Sequence, residues 1–167
     1  MVSPVTIIVV MGVSGSGKTS LGSALAARLG WSFVEGDDFH PIHNIEAMAA
    51  GIPLTDRERY PWLQALGQEI KRLQAIGQSA VITCSALKQA YRESLRAPAV
   101  AITFVYLHGE RVLFQERLQQ RQGHFMGANL LASQWADLEI PTLEEAIRVD
   151  AAQPIQALVQ QIYERLR

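Results

Sequence analysis

Two apolar patterns alternate along the chain. One is a short unbroken run. The other is a stripe that returns every three or four residues. "VTIIVVM" (5–11) is the densest run. Val and Ile crowd it without polar alternation, as in a strand covered on both faces. "WSFVE" (31–35), "SAVITCS" (79–85), "AITFVYL" (101–107) and "AIRVD" (146–150) predict four more strands; the last carries Arg148 and is the least apolar. Helical stripes lie between them. Leu21, Ala24, Leu25 and Leu29 share a face over 18–29. "NIEAMAAG" (44–51) predicts a small helix ended by Gly51. "TDRE" (55–58) matches the capping box, in which Thr and Glu satisfy free amides at a helix start. The helix after it runs to about Ile76, with Pro61 as a point of reset and Leu63, Leu66, Ile70 and Leu73 as its buried stripe. Further helices are predicted over 86–96, 110–122 and from Pro154, where Ile155, Leu158, Val159, Ile162 and Leu166 align. The segment 123–141 is less regular.

Strands alternating with helices predict an α/β fold with right-handed crossovers and a parallel sheet. Ligands of such sheets sit beyond the carboxyl ends of the strands. Residues 12–19, 35–40, 84–92, 108–111 and 150–154 occupy those places.

Composition narrows the picture. The 167 residues suit one compact domain, and 49% hydrophobic with 19% charged residues is globular rather than disordered. A net charge of −1 gives no general attraction for nucleic acid or an anionic membrane. The single cysteine, Cys84, excludes an internal disulfide and fits a reducing cytoplasm. No cation precedes Lys18, so the N-terminal run is a poor signal peptide, and it is too short to span a bilayer.

One motif carries explicit chemistry. Gly12, Val13, Ser14, Gly15, Ser16, Gly17, Lys18 and Thr19 fit G-x-x-x-x-G-K-[ST], with a predicted strand before and a helix after. Glycines let several amide N–H groups converge on phosphate oxygens, and the helix N-terminus adds positive partial charge. Lys18 is expected on the β- and γ-phosphates of ATP and Thr19 on Mg²⁺. The guanine-reading Asn-Lys-x-Asp of a GTPase is absent. No acidic residue ends the third strand, where many ATPases orient Mg²⁺ and water; it ends in Cys84-Ser85. The nearest carboxylates are Glu35 and Asp37. Segment 35–63 and the run "CSALKQAYR" (84–92) then crowd polar groups around the expected cleft, suited to a polyhydroxylated anion.

The ordered motifs "GVSGSGKT", "GDDFHP..N...M..G.PL.D..R.PWL", "CSALK..YR..LR" and "R..QRQGHFM" resemble those of the gluconate kinases. These are carbohydrate acid kinases of the P-loop nucleoside-monophosphate-kinase-like group. The resemblance runs from about Val9 to Leu138. It implies a three-layer fold, with a five-stranded parallel sheet, helices on both faces and a helical lid at about 117–140. It implies phosphorylation of D-gluconate by ATP with Mg²⁺, giving 6-phospho-D-gluconate and ADP, by an enzyme of a kind that is often a homodimer. Ala47 departs from the pattern, standing where family members often carry lysine.

Asp37 is the candidate to orient, or deprotonate, the acceptor hydroxyl; it could instead cap the next helix. Glu35 either holds Mg²⁺ through water or is a surface residue, and Asp38 reads as a turn residue. The resemblance puts His40 on the sugar acid. Arg59, Lys88 and Arg92 are candidates for its carboxylate and for the transferring phosphoryl, with a solvated basic face as the alternative. Arg117 and Arg121 are expected to reach ATP phosphates as the lid closes, Arg121 as a catalytic residue; the alternative is simple solubility. Gln153 and Pro154 are placed near adenine. Phe125 and Trp135 either clamp a ligand or pack the lid. His40 and His43 lack further ligands at zinc spacing. A related kinase acting on shikimate or a nucleoside monophosphate, and a non-catalytic nucleotide-binding regulator, remain as competing readings.

Overall fold

The computed structural model describes residues 4–96, 101–121 and 128–167. Five strands form one parallel sheet: β1 (Ile7–Met11), β2 (Ser32–Glu35), β3 (Ala80–Thr83), β4 (Ile102–His108) and β5 (Ala146–Asp150). Their order is β2-β3-β1-β4-β5. All five predicted strands are present. β1 pairs with β3 from Ile7↔Ala80 and with β4 from Ile7↔Ile102, so it is central, and its five residues have no solvent exposure. That position explains its unbroken Val/Ile run. β5 lies at an edge, which tolerates the polar Arg148 opposite Tyr106.

Helices α1 (Lys18–Leu29) and α7 (Ile155–Leu166) pack together, as do α3 (Asp56–Ala75) and α4 (Gln89–Arg96), in a three-layer arrangement. Two short helices follow β2: a 3-10 turn at Gly36–Phe39 and α2 (Ile42–Ala49). α5 (Arg111–Gln120) and α6 (Ala128–Asp137) follow β4. Connections from β1 run toward β2 and those from β4 toward β5. The chain therefore diverges at the carboxyl end of β1, where such sheets open a crevice.

Several boundaries differ from the sequence reading. α2 begins two residues earlier, at Ile42, and Gly51 (φ 77°) ends it as expected, its N–H on Met48 O. α3 passes through Pro61 unbroken, because the capping box on Thr55 and a buried stripe hold its register while the exposed Pro61 loses one early hydrogen bond. α4 starts at Gln89 rather than 86, since Ala86 takes φ 47° and turns the chain left-handed. The segment 123–141 holds α6. Its stripe was hidden because Leu130 and Leu131 are followed on the buried side by a polar residue, Gln134.

Candidate active site

The phosphate loop leaves β1 and closes into α1. Gly17 caps α1 at φ 99°, a left-handed conformation that glycine adopts without strain, and no acidic side chain stands in the first turn. The open amides there suit an anion. Lys18 Nζ donates to Val13 O at 3.1 Å. Although part of Lys18 remains exposed, desolvation of its ammonium lowers its pKa, and Asp37 opposes that shift. Glu35 is half-buried and shared by two hydroxyls. Thr19 Oγ1 donates to its Oε2 at 2.6 Å and Thr83 Oγ1 to its Oε1 at 2.5 Å. Thr83 Oγ1 also accepts Gly36 N–H at 3.0 Å.

Two small pockets adjoin. One lies over the phosphate loop and includes Ser14, Lys18, Thr19, Glu35 and Arg121. The other includes His40, Arg59 and Trp62. Asp37, Ser85 and Gln134 line both. Beyond the loop, a cleft of about 630 Å³ is lined by Arg117, Arg121, Gln153 and Pro154, so the two arginines expected on phosphate and the two residues expected near adenine share one cleft.

In the second pocket, His40 stacks on Trp62 and is pushed down to a pKa of about 4, first by burial and then by Arg59. Asn44 Nδ2 lies 3.3 Å from His40 Nδ1. With Nδ1 accepting, the proton of the neutral ring sits on Nε2. Arg59 Nη1 donates to Tyr91 Oη and to Asp137 Oδ2, each at 2.9 Å. Burial disfavours its charge, but these two bonds outweigh that and raise its pKa. Tyr91 in turn donates to Asp56.

Residues 7–139 match the family described as AAA domain. The chain is 49% identical over 140 residues to a gluconokinase of Gluconobacter oxydans (strain 621H), spanning 84% of this chain and 79% of that protein. A crystal structure of a gluconokinase from Sinorhizobium meliloti 1021 is 48% identical with a TM-score of 0.81, covering 94% of this chain and 88% of that one. An unliganded sugar kinase from Janibacter sp. HTCC2649 superposes with a TM-score of 0.91 at 42% identity, over 98% of this chain and 95% of that one. The chain belongs to the gluconokinase family.

Within this family member, two expected substrate cations stand elsewhere. Arg92 is 1% exposed and its donors are committed: Nε to Glu145, Nη1 to Ala86 O and Leu87 O, Nη2 to Glu139 O. It clamps the turn at Ala86 to the 139–145 connector and does not line the pocket that holds His40 and Arg59. Lys88 lies just outside α4 and pairs with Asp56 at 3.0 Å, so the expected shared helix face with Arg92 does not form. Arg117 donates to Ser16 O and Ala151 O, tying the phosphate loop to the β5–α7 turn. Trp135 packs on Phe114; Phe125 lies outside the described residues. His43 and Asp38 are exposed, and no cluster of three metal-ligating side chains occurs among the described residues. Trp62, Gln134 and Asp137 were missed by sequence. The gluconokinase-like "R.PWL" contains Trp62, but only the fold turns its indole inward.

Proposed function

We propose that this chain transfers the γ-phosphoryl group of ATP to the 6-hydroxyl of D-gluconate, giving 6-phospho-D-gluconate and ADP. The observation that carries the reading is that Asp37 and Ser85 line both the phosphate pocket and the acceptor pocket. A hydroxyl held beside Asp37 then faces a phosphate held by Lys18. The bond from the γ-phosphorus to the bridging oxygen breaks as the hydroxyl oxygen bonds phosphorus, and the hydroxyl proton passes toward Asp37. Positioning supplies most of the catalysis in such a loose transition state. Arg59 and neutral His40 offer donors for the carboxylate and hydroxyls of the sugar acid.

The residues present fit ATP and Mg²⁺. Ser14 Oγ is buried with no hydrogen-bond partner among the described residues, as a phosphate-cradle hydroxyl would be. Thr19 would hold Mg²⁺ by its hydroxyl oxygen while donating its proton to Glu35. When bound, the ion would neutralise charge on the β- and γ-phosphates. Arg117, Arg121 and Gln153 form the nucleotide side. Arg121 would stabilise charge on the transferring group, and a lid over about 117–140 would exclude water.

The acceptor pocket has a volume of about 20 Å³, room for a water-sized group. Its wall must withdraw to admit a six-carbon acid. Among the described residues no helix is long and apolar enough to cross a membrane. A cytoplasmic location draws support from the single, buried Cys84, and a homodimer from the family pattern alone.

Purified protein with Mg-ATP and coupled ADP detection would be offered gluconate, other aldonates, shikimate and nucleoside monophosphates. Gluconate-dependent ADP release with 6-phosphogluconate as product is expected. ADP release with shikimate or a nucleotide but not gluconate would reassign the acceptor, and ATP binding without turnover would indicate a regulator.

A further inference from the structure

Gln134 is polar yet only 7% exposed. An apolar side chain would fill that place on α6 at a smaller desolvation cost, so a buried carboxamide there needs a reason. Its Oε1 accepts the backbone N–H of Ser14 at 2.8 Å, joining positions 120 residues apart. Three residues further, Asp137 accepts from Arg59 at 2.9 Å. Positions three apart share one face of a helix. One face of α6 therefore touches the phosphate loop with one side chain and the acceptor-side cation with another.

We infer that Gln134 and Asp137 are positioning residues that set the separation of the two substrates. The inference rests on the gluconate reading above. The phosphate loop leaves β1 and is tied to the β5–α7 turn through Arg117, contacts that do not reach Arg59. Arg59 comes from α3 and carries its charge on a long side chain. With the proposed lid seated, α6 bridges the two. Through Gln134 it fixes Ser14, and through Asp137 it fixes the Arg59 guanidinium. A displacement of about 1 Å between phosphoryl group and hydroxyl costs on the order of a hundredfold in rate. Neither side chain needs to touch a reacting atom for this role.

Gln134→Met keeps side-chain length and removes the amide acceptor. It is expected to lower kcat for gluconate about 10- to 100-fold, with KM for ATP unchanged within about threefold and loss of hydrogen-exchange protection at the Ser14 amide. Gln134→Glu restores an acceptor oxygen and is expected to restore that protection. Asp137→Asn is expected to raise KM for gluconate about 5- to 50-fold with KM for ATP unchanged. Wild-type kcat in Gln134→Met, or losses in all parameters that merely track the folded fraction, would overturn the inference. Wild-type protein that ignores gluconate would instead remove the acceptor reading, while Ser14 protection still reports the link between α6 and the loop.

Discussion

The imidazole of His40 lies flat on the indole of Trp62, with ring centroids 4.1 Å apart and planes 14° from parallel. Trp62 Nε1 donates to Gly36 O at 2.8 Å, so the stack is fixed to the turn that carries Asp37. Burial, then Arg59, lowers His40 from 6.5 to about 4. Between those values the unfolded chain binds more protons than the folded one. The contribution to stability is complete above about pH 6.5 and is lost as pH falls toward 4. Urea unfolding at about pH 7 and about pH 4.5 should show that loss, about 2 kcal/mol. His40→Gln should lack this share of the pH slope, and an unchanged slope would place His40 in water.

Gly36 sits where a side chain has no room. An added Cβ would lie 1.8 Å from Thr83 O, a backbone atom that cannot swing away. Gly36→Ala should cost about 3 kcal/mol or more by overpacking. Turnover should fall as well, because the strain moves Asp37 and Glu35. Thermal unfolding together with kcat checks both parts.

The carboxylate of Glu35 orients the Thr19 hydroxyl at 2.6 Å. Glu35→Gln weakens that orientation without changing volume. The Mg²⁺ concentration for half-maximal rate should rise about tenfold or more, as when a partner behind a metal ligand is altered. Titrating MgCl₂ at saturating ATP and gluconate reads this directly; an unchanged midpoint would return Glu35 to an ordinary surface role.

Arg92 should behave as a structural residue. Arg92→Met removes the partner of Glu145 at 2.6 Å, leaves it Arg96 at 3.7 Å, and frees three backbone carbonyls. Breaking such a buried pair costs on the order of 3 kcal/mol. At temperatures where the variant stays folded, KM for gluconate should hold within about threefold. A large selective rise in that KM would restore Arg92 to the substrate site.

Lys18 and Asp37 should separate binding from chemistry. Lys18→Ala should abolish turnover while circular dichroism shows an intact fold. Asp37→Asn should lower kcat by about a hundredfold or more, with ATP affinity nearly kept. Equal losses in both quantities would remove the acceptor role of Asp37.

Much of the fold could be read along the chain because its signals are local. The run at 5–11, the glycines and Lys18, and the capping box at Thr55 each state their own geometry. Glu35 shows the limit. Its sequence position left it open between metal support and a surface role, because its partners Thr19 and Thr83 lie 16 and 48 residues away. Lys88 and Arg92 show the opposite error. Four-residue spacing placed them on one helical face, and the turn at Ala86 removed Lys88 from that helix.

The sequence by itself determined the parallel α/β sheet, the phosphate loop and the family, since periodicity and contiguous motifs carry those. Tertiary structure decided which cations face the cleft and which carbonyls they hold. It also decided why a glutamine occupies the buried side of α6. Those outcomes depend on contacts between distant segments, such as Ser14 with Gln134 and Arg59 with Asp137, and no local pattern encodes them.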